Sequence, residues 1–277
     1  MPNWPEATIA EIAAPDGVAG GPFGSELGRA DYVESGVPVI RGGNLGTGDR
    51  RFDPRDFVFV SDAKADELAR NLAIPGDIIV TQRGTLGQVG VVPRIGFERF
   101  VISQSQMRVR CNPAKAVPAF LYYWLLLPTT RDYINGNAVA AGVPHINLGF
   151  LRSMRLRLPP IPDQRAIAHV LSTIDDRIEL NRRMNTTLDA MARAFFKSWF
   201  VDFDPVRTKA AGRPPAGMDT DTATLFPSEF ERSGCGDIPK GWTIGPLANL
   251  ASLNPESWTR SSRPAEIKYV DLSHPLI

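Results

Sequence analysis

Residues 164–204, QRAIAHVLSTIDDRIELNRRMNTTLDAMARAFFKSWFVDFD, contain neither glycine nor proline, although the whole chain carries 24 of each. Because these two residue types interrupt helices most strongly, the stretch predicts one long helix. Pro162 and Asp163 supply an N-cap signal, and Pro205 supplies a stop. The helix would measure roughly 55–60 Å at ~1.5 Å per residue. Few compact domains are that wide, so we expect a spacer rod.

The rod carries an apolar seam whose steps alternate between four and three residues. The same phase passes through Asn181 and Asn185, and the apolar positions are Ile167, Leu171, Ile174, Ile178, Leu188, Ala192, Phe195 and Trp199. A heptad seam predicts pairing with a second helix, and asparagine layers in such a seam fix register and strand number. The alternative is an amphipathic helix that lies on its own domain. The length of the stretch favours the paired helix.

A short motif near the start of the chain recurs after the rod. WPEATIAEI begins at Trp4 and WTIGPLANL begins at Trp242, and the two segments share the tryptophan, two aliphatic positions and an alanine. We therefore expect a first α+β domain at 1–160, the long helix at 161–205 and a Pro/Gly-rich linker at 206–237. A second unit would begin at 238 and is expected to be incomplete at Ile277.

Composition excludes several protein classes. With 43% hydrophobic residues the chain can bury a core, but its longest apolar run is far shorter than the ~20 residues of a membrane span. Two cysteines and three histidines cannot form a disulfide framework or a Cys/His metal site, which predicts a reduced, cytoplasmic setting. The net charge is +1, yet residues 152–213 carry 12 Lys/Arg against 7 Asp/Glu, so the basic excess is local.

Polar residues suited to nucleic acid recur in the first domain. Three predicted loops, RGGNLG, TQRGT and PHIN, combine hydrogen-bonding side chains with glycine or proline. They contain the candidates Arg41, Asn44, Gln82, Arg83, Thr85, His145 and Asn147. The stretch FVISQSQMRVR alternates and predicts a strand with one polar face, which adds the candidates Gln104, Gln106 and Arg108. Arginine can bridge guanine O6 and N7, and an amide can pair with adenine. For Asn44, His145 and Asn147, a turn, capping or other structural role is the competing interpretation.

Signatures of catalysis are missing from the sequence. GxxxxGK[ST], HExxH, GxSxG and a strand-preceded GxGxxG do not occur. The string from Asp202 to Pro205 is only loosely similar to the acidic and aromatic motifs of adenine methyltransferases, and a helix stop explains its proline. An adenine methyltransferase is therefore the least favoured interpretation of this chain, and S-adenosylmethionine binding by the isolated chain would test it.

Several longer strings resemble the DNA-specificity subunits of type I restriction-modification enzymes. The strings are GVPVIRGGNLG, GDIIVTQRGTLG, the segment from GVPHINLGFLRS through the rod to VDFDPV, and LFPSEFERSGCGDIPKGW. The resemblance covers essentially the whole chain. It implies two recognition domains that each read half of an asymmetric bipartite site, held apart by helices that pair antiparallel. The subunit itself would be non-catalytic and would need no cofactor.

The same resemblance implies partners for the chain. These are double-stranded DNA, methyltransferase subunits that use S-adenosylmethionine, and restriction subunits that use ATP and Mg²⁺. A half-subunit would dimerise through the rod and read a palindromic interrupted site. Four aromatic residues close together at the end of the rod predict a surface that binds a partner, and the resemblance implies that this partner is the methyltransferase subunit. The residues are Phe195, Phe196, Trp199 and Phe200. The rival class is a coiled-coil interaction protein without a DNA role.

Overall fold

The computed structural model describes residues 4–46, 50–139, 142–234 and 236–252. Its helices are α1 Ile9–Ile12, α2 Asp62–Glu67, α3 Pro118–Leu126, α4 Pro128–Gly136, α5 Leu148–Ser153, α6 Ile161–Phe200, α7 Asp204–Ala210 and α8 Thr220–Thr224. Its strands are β1 Glu6–Thr8, β2 Ala13–Gly20, β3 Tyr32–Val33, β4 Val37–Ile40, β5 Val58–Val60, β6 Leu72–Ala73, β7 Ile78–Thr81, β8 Val89–Val91, β9 Phe100–Ile102, β10 Gln106–Cys111, β11 Arg155–Arg157, β12 Phe230–Ser233 and β13 Gly236–Pro239. The predicted α+β class is confirmed.

The long helix α6 has 40 residues, which confirms the main prediction from the sequence. The helix begins at Ile161, as expected, but Pro162 and Asp163 lie inside its first turn and do not cap it. Pro205 does not end it. The helix ends at Phe200, the backbone turns at Phe203 with a left-handed φ of 54°, and Pro205 lies in the first turn of α7, where its missing N–H is tolerated.

Two sheets form the centre of the first part of the chain. The four-stranded sheet has the order β2-β10-β7-β8 with antiparallel neighbours, and the five-stranded sheet has the order β3-β5-β4-β9-β6. In the second sheet, β4 and β9 are parallel and the other pairs are antiparallel. Strand β1 pairs with β11, which brings the start of the chain to the segment that leads into α6.

The predicted polar strand at residues 100–110 is wrong in its continuity. The chain forms β9 up to Ile102, turns, and starts β10 at Gln106 in the other sheet. The turn is closed by the Gln106 N–H, which donates to the Ser103 carbonyl at 3.0 Å. Side-chain alternation therefore does not continue across Ser103–Ser105, and the expected single polar face does not exist.

Apolar side chains fill three clusters around these sheets. The largest lies between the four-stranded sheet and helices α1, α3, α4 and α5, with Tyr122, Leu121 and Met107 fully buried. The other two include alternate residues of β4 and β9, since Val39 joins one cluster and Ile40 the other. Burial on both faces explains why β4 is a continuous apolar run.

The described chain divides into two compact units, 1–186 and 187–277, with the boundary inside α6. Residues 206–237 were expected to be a linker; α8, β12 and parts of α7 and β13 lie within them, and whether the segment acts as a linker stays a prediction. A 3₁₀ turn at Leu247–Asn249 falls where the repeated motif has the start of α1. Residues 253–277 of the expected second unit lie outside the described residues, and its boundaries stay predictions. No helix in the described ranges has the length and apolar content of a membrane span.

Arg51 attaches the first half of α6 to the first domain. Its guanidinium forms ion pairs with Asp175 and Asp176, each at 3.2 Å, and donates to the Ser172 carbonyl at 2.5 Å. The Tyr123 hydroxyl donates to the same Asp175 carboxylate at 2.7 Å. One arginine therefore contacts a carbonyl and two carboxylates along one turn of the helix.

We predict that Arg51→Ala loosens this attachment. A hydrogen bond to a charged group contributes about 1.5–3 kcal/mol, and partial exposure reduces that value, so we expect a loss of about 1–3 kcal/mol in the free energy of unfolding. Amide hydrogen exchange in residues 161–178 should accelerate.

Arg193→Ala is the matched control, because it removes an exposed ion pair with Asp189 on the same helix. Such pairs contribute roughly 0.3–0.5 kcal/mol. Equal effects of the two substitutions would show that Arg51 is not an anchor of the helix.

Candidate nucleic-acid interface

Three chain segments meet at one edge of the two sheets. Because β4 and β9 run parallel, Arg41 and Ser103 follow the carboxyl ends of neighbouring strands, and the Ser103 N–H donates to the Ile40 carbonyl at 2.9 Å. Strand β7 ends at Thr81, directly opposite Gln106 at the start of β10. The loops that follow β4, β7 and β9 therefore line a common space, although they are far apart in sequence.

That space is an open cleft of about 660 Å³. Among the described residues that line it are three arginines, Arg29, Arg41 and Arg83, and no aspartate or glutamate. Amides and hydroxyls supply most of the remaining polar groups: Thr81, Thr85, Gln88, Ser103, Gln104, Ser105 and Gln106. The cleft thus presents positive charge together with hydrogen-bonding groups, the combination that contacts to phosphates and base edges require.

Arg41 is held at the cleft by its own loop. Its backbone N–H donates to the Asn44 side-chain oxygen at 2.8 Å, and its guanidinium Nη2 donates to the Asp56 carbonyl at 2.7 Å. The Nε atom is buried and has no hydrogen-bond partner among the described residues. Asn44 is itself buried and donates to the Asp53 and Arg55 carbonyls, which is a structural role.

The loop after β7 is fixed by backbone contacts on both sides. The Gln82 N–H donates to the Ser105 carbonyl at 2.7 Å, and the Gly84 N–H donates to the Pro144 carbonyl at 3.1 Å. Gly84 has a φ of 96°, a conformation that favours glycine. Arg83 is exposed, and its side chain forms no hydrogen bond among the described residues, so its guanidinium is available to a ligand.

The third predicted loop, PHIN, forms backbone contacts with the second, TQRGT, but does not line the cleft. Arg83 and His145 form an isolated backbone bridge, and the Ile146 N–H donates to the Gln82 carbonyl at 3.0 Å. Asn147 caps α5, because its side-chain oxygen accepts the Phe150 N–H at 2.8 Å. Asn147 therefore has the capping role that was its competing interpretation, and a contact of His145 with DNA stays a prediction.

Two glutamines form the floor of the cleft. Gln88 accepts the Thr81 hydroxyl at 3.2 Å, and Gln106 accepts the Ser103 hydroxyl. A Cβ added to Gly42 would lie 3.5 Å from the Gln88 oxygen and 3.7 Å from the Gln106 nitrogen, so the backbone passes closely over both amides. Gln88 was missed by the sequence reasoning, although it ends the predicted loop TQRGTLGQ.

The sequence analysis predicted that Arg108 lies on an exposed polar face, and the structure shows it buried. It is buried on β10 and donates to the carbonyls of Asp16 at 2.6 Å, Gly17 at 3.4 Å and Leu72. Burial, followed by the neighbouring charge of Arg110, lowers the pKa of Arg108. The predicted outward orientation is wrong, and the side chain instead links β2 to β6.

Five of the residues predicted from the sequence to contact DNA line the cleft. They are Arg41, Arg83, Thr85, Gln104 and Gln106. Cleft residues without a recognisable signal in the sequence include Arg29 and Tyr32, which lie before β4. No group of His, Cys, Asp or Glu within the described ranges is arranged to hold a metal ion.

Comparison with known proteins identifies related sequences. The family model described as "Type I restriction modification DNA specificity domain" matches residues 31–190. The chain is 29% identical to the type I restriction enzyme HindI specificity subunit of Haemophilus influenzae, over 56% of this chain and 43% of that protein. It is 23% identical to the MjaIX specificity subunit of Methanocaldococcus jannaschii, over 91% of this chain and 52% of that protein. The chain thus spans about half the length of the curated relatives it matches.

A solved structure supports the fold. A chain from a study of complex assembly and conformational transition in the type I R-M system aligns with a TM-score of 0.50 and 19% identity, over 72% of this chain and 45% of that chain. The family match covers more than half of the residues and includes the three loops after β4, β7 and β9 that line the cleft as well as most of α6. The chain belongs to the family of type I restriction-modification DNA specificity domains.

Proposed function

We propose that the chain recognises DNA sequence and that the cleft reads one half of a bipartite duplex site. The observation that carries this proposal is the convergence of Arg29, Arg41 and Arg83 with floor amides in a cleft whose described lining residues include no acid. Arginine supplies both phosphate attraction and bidentate contact to guanine, the partly exposed Gln88 amide supplies contacts to base edges, and Gln106, which is buried, holds the turn at Ser103.

The chain would act as the specificity component of a type I restriction-modification complex. In this role it is non-catalytic, it acts in the cytoplasm, and it recruits methyltransferase and restriction subunits. S-adenosylmethionine, ATP and Mg²⁺ would be bound by those partner subunits. The two relatives named above are themselves specificity subunits, which supports this assignment.

The helix α6 would pair with a second helix. Its seam residues Ile174, Ile178 and Leu188 are exposed, so the middle of the seam is uncovered among the described residues, whereas Ile167 packs on the domain core and Trp199 on Phe226. An antiparallel copy of the chain could cover it, which would create a two-fold assembly and a palindromic interrupted site. The exposed seam also fits the rival function, a coiled-coil interaction protein without a DNA role. Salt separates the two, because phosphate contacts weaken steeply as salt rises.

Arg83→Ala should weaken DNA binding by about 1–3 kcal/mol and relax the preference at one position of the site, as expected for loss of a bidentate base contact. The measurement is fluorescence anisotropy with a duplex selected from a random pool by the wild-type chain, repeated at several salt concentrations.

Arg94→Ala is the control, since Arg94 is exposed and does not line the cleft. An Arg83 variant with wild-type affinity and wild-type sequence preference would remove this residue from the interface. A wild-type chain whose DNA retention does not respond to salt would favour the rival function.

Aromatic residues at the end of α6 differ in their contacts and exposure. Trp199 and Phe200 contact Phe226 of their own chain, with ring centroids 5.9 and 6.0 Å apart. Phe195, Phe196 and Phe200 are exposed, and Phe196 retains the largest share of its accessible surface, 62%. The partner surface would therefore centre on Phe195 and Phe196, while Trp199 and Phe200 also hold the unit together.

We predict that Phe196→Ala reduces co-purification with the methyltransferase subunit without changing the thermal unfolding midpoint, because the ring is exposed. Trp199→Ala should lower that midpoint as well, since its ring packs on Phe226. Full retention of the methyltransferase subunit by a Phe195→Ala/Phe196→Ala variant would contradict the assignment.

The helix would also act as a ruler between recognition domains. Seven residues inserted after Thr187 preserve the heptad phase and lengthen the helix by ~10 Å, or about three base pairs. Sites with a longer spacer should then be preferred, or binding should weaken because three base pairs rotate the second half-site by roughly 100°. A panel of duplexes that differ only in spacer length tests this. Unchanged affinity for the original spacer would contradict it.

A further inference from the structure

Phe23 is an exposed aromatic residue beside the cleft. It retains 76% of its accessible surface, the largest fraction of any large apolar side chain among the described residues of the first compact unit. Its ring lies at the tip of the loop GPFGSELG, which connects β2 to the 3₁₀ turn at Arg29–Asp31. Packing of the protein core therefore does not explain a phenylalanine at this position.

Backbone contacts hold the tip of this loop in one conformation. The Phe23 N–H donates to the Glu26 carboxylate at 2.8 Å, and the Glu26 N–H donates back to the Phe23 carbonyl at 3.0 Å. Gly24 follows with a φ of 53°, a value that glycine adopts without strain. The ring thus projects from a closed turn whose backbone is fixed.

The same loop is anchored to the cleft. The Gln104 side-chain nitrogen donates to the Gly24 carbonyl at 2.5 Å and to the Leu27 carbonyl at 3.2 Å, and both Gln104 and Leu27 line the cleft. At the other end of the loop, a Cβ on Gly21 would fall 1.9 Å from the Ser103 carbonyl, so the backbones are in direct contact. The loop that carries Phe23 therefore borders the cleft.

We propose that Phe23 is an aromatic wedge that inserts into a base step of the duplex bound in the cleft. This inference rests on the proposed function. The arginines attract phosphates to the cleft. Within a duplex, the flat apolar surface on which a phenylalanine ring can stack is the face of a base. Proteins that insert phenylalanine between base pairs unstack them and kink the duplex, which is the geometry expected here.

The test uses a duplex that the wild-type chain selects from a random pool, with 2-aminopurine placed in turn at successive purine positions. Because 2-aminopurine fluoresces more strongly when it is unstacked, the wild-type chain should raise its emission at one step. Phe23→Ala should abolish that rise and weaken binding roughly 5- to 150-fold, the range for loss of one aromatic–base stack. Phe23→Trp should keep the rise.

Leu225→Ala is the control matched in exposure, because Leu225 also retains 76% of its accessible surface, lies in the other compact unit and has no part in the proposed binding surfaces. It should leave both affinity and fluorescence unchanged. The wedge is overturned if Phe23→Ala binds as tightly as the wild type, or if no position brightens when the wild type binds. A wild-type chain that selects no sequence from the pool would instead defeat the proposed function itself.

Discussion

Parallel pairing of β4 with β9 is the contact on which the cleft depends. Parallel strands end at the same edge, so Arg41 and Ser103 emerge side by side, joined by the hydrogen bond from the Ser103 N–H to the Ile40 carbonyl. The chain then reverses and enters the other sheet as β10, which sets Gln106 against Thr81. A single turn thereby connects both sheets, and the loops that carry the arginines and the floor amides have a fixed separation.

Polar contacts in two places connect this domain to the helix. Gln164 is fully buried, accepts the Val117 N–H at 2.9 Å and donates to the Pro159 carbonyl at 2.8 Å, so the first turn of α6 is fixed in the domain. Further along, Arg51 contacts Asp175 and Asp176. Beyond these contacts, the seam residues Ile174, Ile178 and Leu188 are exposed, and Trp199 then packs on Phe226. A helix with an uncovered middle section is suited to hold a recognition site at a set distance from a paired partner.

Local patterns in the sequence predicted the parts of this structure that depend on neighbouring residues. The long helix and the loop around Arg83 were both predicted, because composition and turn residues determine them locally. Arg108 was placed wrongly, since alternation cannot reveal that the chain turns at Ser103–Ser105 and changes sheets. Phe23 and Arg29 were not found, because their proximity to the cleft arises from Gln104 and from strand order, which involve residues distant in sequence.

The central claim is that the cleft contacts bases, and photo-crosslinking tests it most directly. A selected duplex carrying 5-iodouracil at successive thymine positions would be bound by the intact chain, irradiated and digested, and the crosslinked peptides identified by mass spectrometry. The account predicts crosslinks within residues 41–43, 81–85 and 103–106, the segments that line the cleft. Crosslinks confined to α6 or to residues 206–234, with none in those loops, would contradict it.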